Sequence, residues 1–353
     1  MVKYIKLILF LGINTLISNA QQKDSLNSKL SIDFSGYVDT YFTAASSYGN
    51  DEKIEPYLYN YTKKNKGEIN LALFKTQLTF RNLYAKVGIQ TGTYAKANYP
   101  KAQQWLNEAT IGVKISTQSS LEAGILPSYI GFETATAVTN LTASRSLLAE
   151  NSPYYMTGIK FNQQFNEKWF LAVMLSNGWQ TISNSVNKLP AFGTQVQYKP
   201  NENTLYNWST FIGDVPSDEH FSTRFFSNFY VDKTWANGMK TQLGLDMGWQ
   251  QRNTTSGWAM WYSPVLIQQY QFNTKWAIAY RIEYYHDKEN ILIQPAILLP
   301  FKTIGNSLNF DYSLSKRIKC RTEGKWYHAS ENVLANSTKK NNLYWLTTLS
   351  YSF

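Results

Sequence analysis

The strongest constraint on this chain is a two-residue period that separates apolar from polar side chains. In 239–249 the odd positions read Met, Thr, Leu, Leu, Met and Trp, whereas the even positions read Lys, Gln, Gly, Asp and Gly. Successive side chains of a β-strand point to opposite faces of its sheet. The segment is therefore expected to be a strand with one lipid-like face and one wet face, and 275–285, 306–315 and 318–328 repeat the pattern.

The chain lacks the long apolar runs by which helical membrane proteins cross a bilayer. Beyond residue 20 the most apolar stretch is 291–301, which Gln294 and Pro295 interrupt, and a spanning helix needs about 20 apolar residues. Disorder is also excluded, because aromatic residues make up 16% of the chain and charged residues only 16%. The architecture that hides lipid-facing residues at every second position is an all-β, antiparallel, up-and-down transmembrane β-barrel.

Turn-like segments divide the chain into strands and assign the connections to two ends. Short polar turns are expected at 80–82, 117–120, 199–203, 271–274 and 315–317, and long loops at 46–66, 94–104, 129–152, 178–188, 287–305 and 329–341. Short turns and long loops are typical of the periplasmic and extracellular ends of such barrels. Counting from 30–43 to 342–353 predicts about sixteen strands, and fourteen or eighteen also fit the length. The loop 287–305 is unusual, since its apolar part suggests that it packs into the barrel or extends a strand.

A secreted β-sandwich is the competing architecture, because its strands alternate in the same way. Seven tryptophans near segment ends favour the barrel, where they would form an interfacial girdle: Trp169, Trp208, Trp235, Trp249, Trp258, Trp276 and Trp345.

Both ends of the chain carry signals for export. Residues 1–20 combine Lys3 and Lys6, an apolar middle and a small-x-small site ending at Ala20, which predicts a cleaved signal peptide. Residues 21–29 would form a short periplasmic segment, and 30–353 the outer-membrane barrel. The last strand ends on Tyr351 and Phe353, which share the apolar face, and these are the candidate assembly signal for the barrel-insertion machinery.

Several stretches resemble the putative β-barrel porin-2, OmpL-like family of Gram-negative outer membranes. They are 35–41, 69–73, 126–133, 145–155 and 176–180. The resemblance covers the chain after its signal peptide and is strongest up to about residue 185. It implies an outer-membrane pore and brings no catalytic residue set.

The residues offer little for an enzyme or a metal site. None of His220, His286 and His328 has a histidine or cysteine three or four positions on. His220, beside Asp218 and Glu219, is the best catalytic candidate, and a solvated loop histidine explains it better. We therefore expect no enzyme, no cofactor and no metal, and Cys320 is expected to be a small side chain on a strand.

The charged residues on the polar faces of the strands indicate which solutes the barrel would conduct. The net charge is +10, but its bases are dispersed and do not form the patch that nucleic acid needs. The pore-lining candidates are six bases and three acids: Lys240, Lys275, Arg281, Lys319, Arg321, Lys325, Asp246, Glu283 and Glu323. Bases in a pore favour anions, unless neighbours such as Arg321 and Glu323 neutralise one another at the rim.

The loop 129–152 is the candidate constriction. Its Glu133, Arg145 and Glu150 stand among small and apolar residues, so we expect it either to fold inward and narrow the channel, or to cover the mouth as a lid or adhere to a neighbouring molecule. The sequence thus predicts a porin for small hydrophilic solutes, with mild anion preference. The expected partners are outer-membrane lipid, lipopolysaccharide, the insertion machinery and, as an oligomer, further copies of the chain. The alternative is a plugged barrel that acts as a surface adhesin or structural anchor.

Overall fold

The computed structural model describes residues 30–46, 53–183, 190–216, 221–252 and 255–353. The predicted signal peptide and periplasmic segment, like His220, lie outside these residues. These residues form sixteen strands and two short α-helices, α1 (Thr93–Asn98) and α2 (Leu147–Glu150). The strands are β1 (Ser31–Ala45), β2 (Gly67–Phe80), β3 (Leu83–Thr91), β4 (Leu106–Lys114), β5 (Ser119–Pro127), β6 (Tyr155–Gln164), β7 (Trp169–Ser176), β8 (Ala191–Asn201), β9 (Thr204–Pro216), β10 (Phe221–Thr234), β11 (Met239–Gln251), β12 (Trp258–Gln271), β13 (Trp276–Asp287), β14 (Phe301–Ser313), β15 (Ile318–Ala329) and β16 (Asn341–Ser352).

Every strand pairs antiparallel with its neighbours in the chain, and β1 pairs with β16 to close the barrel. Tyr37 lies opposite Ser352, and Ala45 lies opposite Tyr344. The predicted closed barrel of about sixteen strands is therefore confirmed. Closure leaves no strand edge unpaired, as a structure surrounded by lipid requires.

Alternation along each strand sorts the side chains by solvent. On β16, Leu343, Trp345 and Leu349 are exposed on the outer face, whereas Tyr344 and Leu346 are buried inside. Six of the seven girdle tryptophans are exposed apolar side chains on the outside, and Trp249 is half-buried. No helix among the described residues is long and apolar enough to cross a membrane.

The two ends of the barrel differ as the sequence predicts. Strands are joined by short turns at one end, whereas the connections at the other end are longer, except for the one between β9 and β10. The segment 287–305 is partly loop and partly strand. Its residues 288–300 form the connection, and β14 already begins at Phe301. Ile293 and Phe301 are buried in the barrel mouth, whereas Ile297 and Leu298 are exposed.

Candidate functional site

The connection between β5 and β6, residues 128–154, lies inside the barrel, and we call it the inward loop. Ala143, Ser146 and Leu147 are completely buried. Backbone amides of the loop donate to side chains of the wall, among them Ala143 N to Asn309 Oδ1 (3.0 Å) and Ser144 N to Glu323 Oε2 (2.6 Å). The small residues that made this segment unusual for an exposed loop allow its backbone to approach the wall closely.

A carboxylate and a helix cap fix the local shape of the inward loop. Glu133 accepts hydrogen bonds from the amide (3.0 Å) and the hydroxyl of Ser146. The same hydroxyl accepts from Ala149 N (3.2 Å) and so caps α2. Burial raises the pKa of Glu133, although nearby Arg281 and the bonds from Ser146 oppose the shift. Serine is a preferred N-cap because its oxygen satisfies an otherwise unpaired amide.

Arg281 on β13 holds the middle of the inward loop. Its Nη1 donates to Thr142 Oγ1 (2.8 Å) and Ser144 O (2.7 Å), and its Nη2 donates to Ser144 Oγ (2.7 Å) and Glu323 Oε1 (2.8 Å). Glu133 and Glu283 each approach the guanidinium to 3.6 Å. A completely buried cation is thus surrounded by three carboxylates and by loop oxygens.

Arg321 on β15 holds the tip of the loop. It donates to both oxygens of Asp311, from Nε at 2.7 Å and from Nη2 at 3.0 Å. Its remaining bonds go to backbone carbonyls of Ala137 (2.6 Å), Thr142 (3.0 Å) and Asn140 (3.0 Å). Arg321 is therefore neutralised by Asp311 and not by Glu323, the partner that its sequence position suggested.

Lys325, Glu283 and Asp246 also face the loop from the wall. Lys325 Nζ lies 2.9 Å from Glu283 Oε1 and donates to Arg145 O (3.1 Å). The other oxygen of Glu283 accepts from Leu147 N (2.5 Å). Asp246 accepts from Asn228 Nδ2 (2.5 Å), and Asn228 Oδ1 accepts from the loop amide of Gly131 (3.2 Å). Six of the nine pore-lining candidates thus point into the barrel and are buried there: Asp246, Arg281, Glu283, Arg321, Glu323 and Lys325.

The three constriction candidates are buried within the inward loop. Arg145 lies 4.0 Å from the ring centre of Tyr154. Glu150 accepts from Tyr59 N (2.7 Å) and Tyr154 Oη (2.8 Å), which ties the loop to the connection 46–66. Together with Glu133 they brace the fold of the loop, and whether they also narrow a conducting path stays a prediction.

The extracellular half of the lumen is lined with apolar side chains from several connections. Tyr57 and Leu58 of the connection 46–66 pack in one buried cluster with Ile293, Val333 and Leu334. Glu55, beside them, accepts hydrogen bonds from Ala335 N (2.8 Å) and Asn342 Nδ2 (2.7 Å). Burial raises the pKa of Glu55 to about 7. The first and last loops are therefore fastened to each other over the barrel mouth.

The remaining three pore-lining candidates lie at the short-turn end. Lys240, Lys275 and Lys319 line one cavity of about 330 Å³ beneath the tip of the inward loop. Lys240 and Lys319 are half-buried and Lys275 is exposed. These three cations are reached by solvent, unlike the arginines above them.

A second set of interior charges, on the opposite wall, was missed in the sequence. Lys75 lies 2.9 Å from Glu108, and Glu122 lies between Lys86 (3.1 Å) and Lys160 (3.0 Å). The lysine side chains are 32%, 32% and 18% exposed, but Glu108 is only 6% and Glu122 only 7% exposed. The alternation of 83–91, in which Lys86 stands on the polar face, could have revealed this wall.

His286, His328 and Cys320 lie apart from these interior sites. His286 stacks on Tyr262 (4.8 Å between ring centres), and His328 stacks on Trp326 (5.8 Å). Cys320 is half-buried beside an outer groove with Thr40. Within the described ranges, no group of three or more potential ligands could hold a metal ion.

At the chain terminus, Phe353 and Tyr351 lie on the outer face with ring centres 5.8 Å apart. The Phe353 ring covers Gly36 so closely that a Cβ at Gly36 would lie 2.3 Å from it. Two backbone hydrogen bonds of 3.1 Å join these residues. The terminal aromatic therefore seals the β1–β16 seam.

Comparisons with solved structures identify the same fold in outer-membrane channels. The anion-selective porin from Comamonas acidovorans aligns with a TM-score of 0.64 at 11% identity, over 92% of this chain and 100% of that one. The outer membrane channel DcaP of Acinetobacter baumannii gives 0.65 at 11% identity, over 94% and 100%. Salmonella typhi OmpF gives 0.61 at 12% identity, over 92% and 98%. No curated protein sequence matches the chain.

These likenesses establish the closed-barrel fold that outer-membrane channels share. The family is established by the sequence itself, because the model of one family matches residues 31–353. This chain belongs to the putative beta-barrel porin-2, OmpL-like family.

Proposed function

We propose that this porin lets small hydrophilic solutes diffuse passively across the outer membrane, with a mild preference for anions. The observation that carries the preference is the wall formed by Lys75, Lys86 and Lys160. Their ammonium groups are the exposed members of their ion pairs, and the carboxylates of Glu108 and Glu122 lie beneath them. A solute that passes this wall meets positive charge first.

The preference follows from the range of these charges in salt solution. The potential of an exposed ammonium group reaches about 10 Å at 0.1 M salt and about 3 Å at 1 M. Basic residues in a pore concentrate anions within that distance. Selectivity is therefore expected at low salt and should fade toward 1 M.

The test is the reversal potential of the purified, refolded protein in a planar bilayer under a potassium chloride gradient. The wild type should favour chloride. Lys75→Gln, Lys86→Gln and Lys160→Gln together remove three positive charges and expose two carboxylates, so the preference should move toward potassium. A matched triple variant of exposed loop lysines, Lys288→Gln with Lys339→Gln and Lys340→Gln, should behave as wild type. Equal reversal potentials for both triple variants would contradict the proposal.

A plugged barrel that acts as an adhesin or anchor is the second candidate. It is favoured by the apolar cluster that fastens the first and last loops over the mouth, in which Leu58 packs with Val333 and Leu334. A folded protein that inserts into the bilayer but conducts no ions would support this function over the porin.

We propose further that residues 1–20 are removed on export. Phe353 would be recognised by the insertion machinery, and the outer surface would contact lipid, lipopolysaccharide and further copies of the chain. The exposed aromatic and aliphatic side chains of the outer face support the lipid contact.

A further inference from the structure

A polar recess opens at the short-turn end of the barrel, between the tip of the inward loop and the wall. Its volume is about 330 Å³. Lys240, Lys275 and Lys319 line it together with Asn140, Gln269 and Trp276. Lys275 and Trp276 are exposed, so the recess is accessible from that end of the barrel.

The cations of this recess are not matched by carboxylates. Asp311 is the one acidic residue that lines it, and both of its oxygens already accept from Arg321 at 2.7 and 3.0 Å. Lys319 reaches Asp311 only at 4.0 Å and donates to Val138 O at 3.1 Å. Among the described residues, no carboxylate forms an ion pair with Lys240 or Lys275.

We infer that this recess binds a small dianion whose oxygens can meet several ammonium groups at once. Phosphate and short dicarboxylates share this chemistry. Lysine suits such a site because its ammonium group is a compact charge with three rotatable donors, which tolerates more than one orientation of the anion. The three lysines approach the recess from different strands, since Lys240 is near the start of β11, Lys275 directly precedes β13 and Lys319 is near the start of β15.

The inference deepens the proposed function and rests on it for the role of the site. In an anion-preferring pore, the recess would hold a dianion at the end of the passage, near the periplasm. Binding itself does not require conduction, because the recess is open to solvent at the short-turn end. Occupancy and conduction can therefore be measured separately.

The experiment is titration calorimetry of the full-length, refolded protein with inorganic phosphate at low ionic strength and pH 8. The wild type should bind phosphate saturably, and succinate should bind at the same site in competition. Lys240→Gln with Lys275→Gln removes two of the three cations and should weaken phosphate at least about tenfold, since each ion pair in water contributes on the order of a factor of several. Lys339→Gln with Lys340→Gln, in the last loop, is the control of equal charge and should bind as wild type.

The outcomes separate this inference from the proposed function. Absence of phosphate binding in the wild type, equal affinity in the two double variants, or binding of acetate as tight as that of succinate would each overturn the site. Loss of binding in Lys240→Gln with Lys275→Gln would support it, even if the bilayer experiment found no anion preference. In that case the recess would be a dianion site and the proposed selectivity would fail alone.

Discussion

Replacing Arg281 with glutamine should release the inward loop from the barrel wall. The arginine makes four hydrogen bonds, of which three go to the loop residues Thr142 and Ser144 and one goes to Glu323 on the wall. Glutamine is shorter and neutral, so it can replace neither the bonds nor the charge. The loop would lose its central attachment while the strands around it keep their pairing.

The size of the effect follows from the charges that the substitution leaves behind. Glu133, Glu283 and Glu323 are fully buried around the guanidinium, and among the described residues only Glu283 has a second ion pair, with Lys325. Leaving a buried charge without its partner costs about 3 to 5 kcal/mol. A shift of about 5.5 kcal/mol would turn a 99:1 preference into 1:99. In Arg281→Gln the loop should therefore exchange between docked and released states, with a substantial fraction of the molecules in the released state.

Two assays report the release. Single-channel conductance should rise and fluctuate between levels in Arg281→Gln, because the loop fills part of the lumen. Limited proteolysis should cut within 129–152 at a rate that the wild type does not reach. Resistance of the unboiled protein to SDS checks that the closed barrel itself has folded.

Two further variants make the reasoning refutable. Arg281→Gln combined with Glu323→Gln removes one of the uncompensated carboxylates and should recover part of the docking. Arg252→Gln removes an exposed arginine that is bidentate to Glu289 and should leave the loop docked. If Arg281→Gln matched the wild type in conductance and in proteolysis, the buried ion cluster would not be what holds the loop.

Two other predictions concern the seam and the mouth. Gly36→Ala should displace the Phe353 ring and so lower the amount of folded protein in the outer membrane, as Phe353→Ala should. The double variant should be little worse than either single variant. Quantitative blotting of outer membranes measures this, and a wild-type level of Gly36→Ala would mean that the ring acts only as a signal. Because the pKa of Glu55 rises from the ordinary 4.5 to about 7, docking of the first loop should be strongest below pH 4.5, weaken by about 1.4 kcal/mol per pH unit up to about 7, and then level off. Protease access to 46–66 measures this, and a pH dependence that persists in Glu55→Gln would assign it to another group.

Most of the fold could be predicted because lipid imposes a simple rule on it. Outward side chains must be apolar, so the two-residue period alone fixes which face of β11, β13 and β15 points inward. The period does not fix where a strand begins or ends. The prediction of 30–43 for the first strand stopped short of Ala45, and the apolar segment 291–301 concealed the start of β14 at Phe301.

The interior could be predicted only in part, because parity gives the direction of a side chain and not what covers it. The sequence left open that Arg321 and Glu323 neutralise one another, but Asp311 on the adjacent strand binds Arg321. The other acceptors of Arg321 are backbone carbonyls, among them those of Ala137 and Asn140. Every residue has a carbonyl group, so no sequence pattern marks these partners. The loop that supplies them is far away in the chain and reaches the wall only in the closed barrel.

Arginine and lysine occupy different environments inside this barrel, and the chemistry of each side chain explains the difference. Arg281 and Arg321 are buried, and a guanidinium with five donors in one plane can satisfy a carboxylate and several carbonyls together. In the two interior sites that solvent reaches within the described part of the chain, the bases are lysines: Lys75, Lys86, Lys160, Lys240, Lys275 and Lys319. An ammonium group is strongly hydrated and keeps its charge effective in water. The buried arginines therefore fasten the loop to the wall, and the lysines that solvent reaches are the bases to which the proposed function assigns contact with solutes. Lys325 is the buried exception among these lysines, and it agrees with the same argument. Its ammonium group has lost its water and needs both Glu283 and a loop carbonyl in its place.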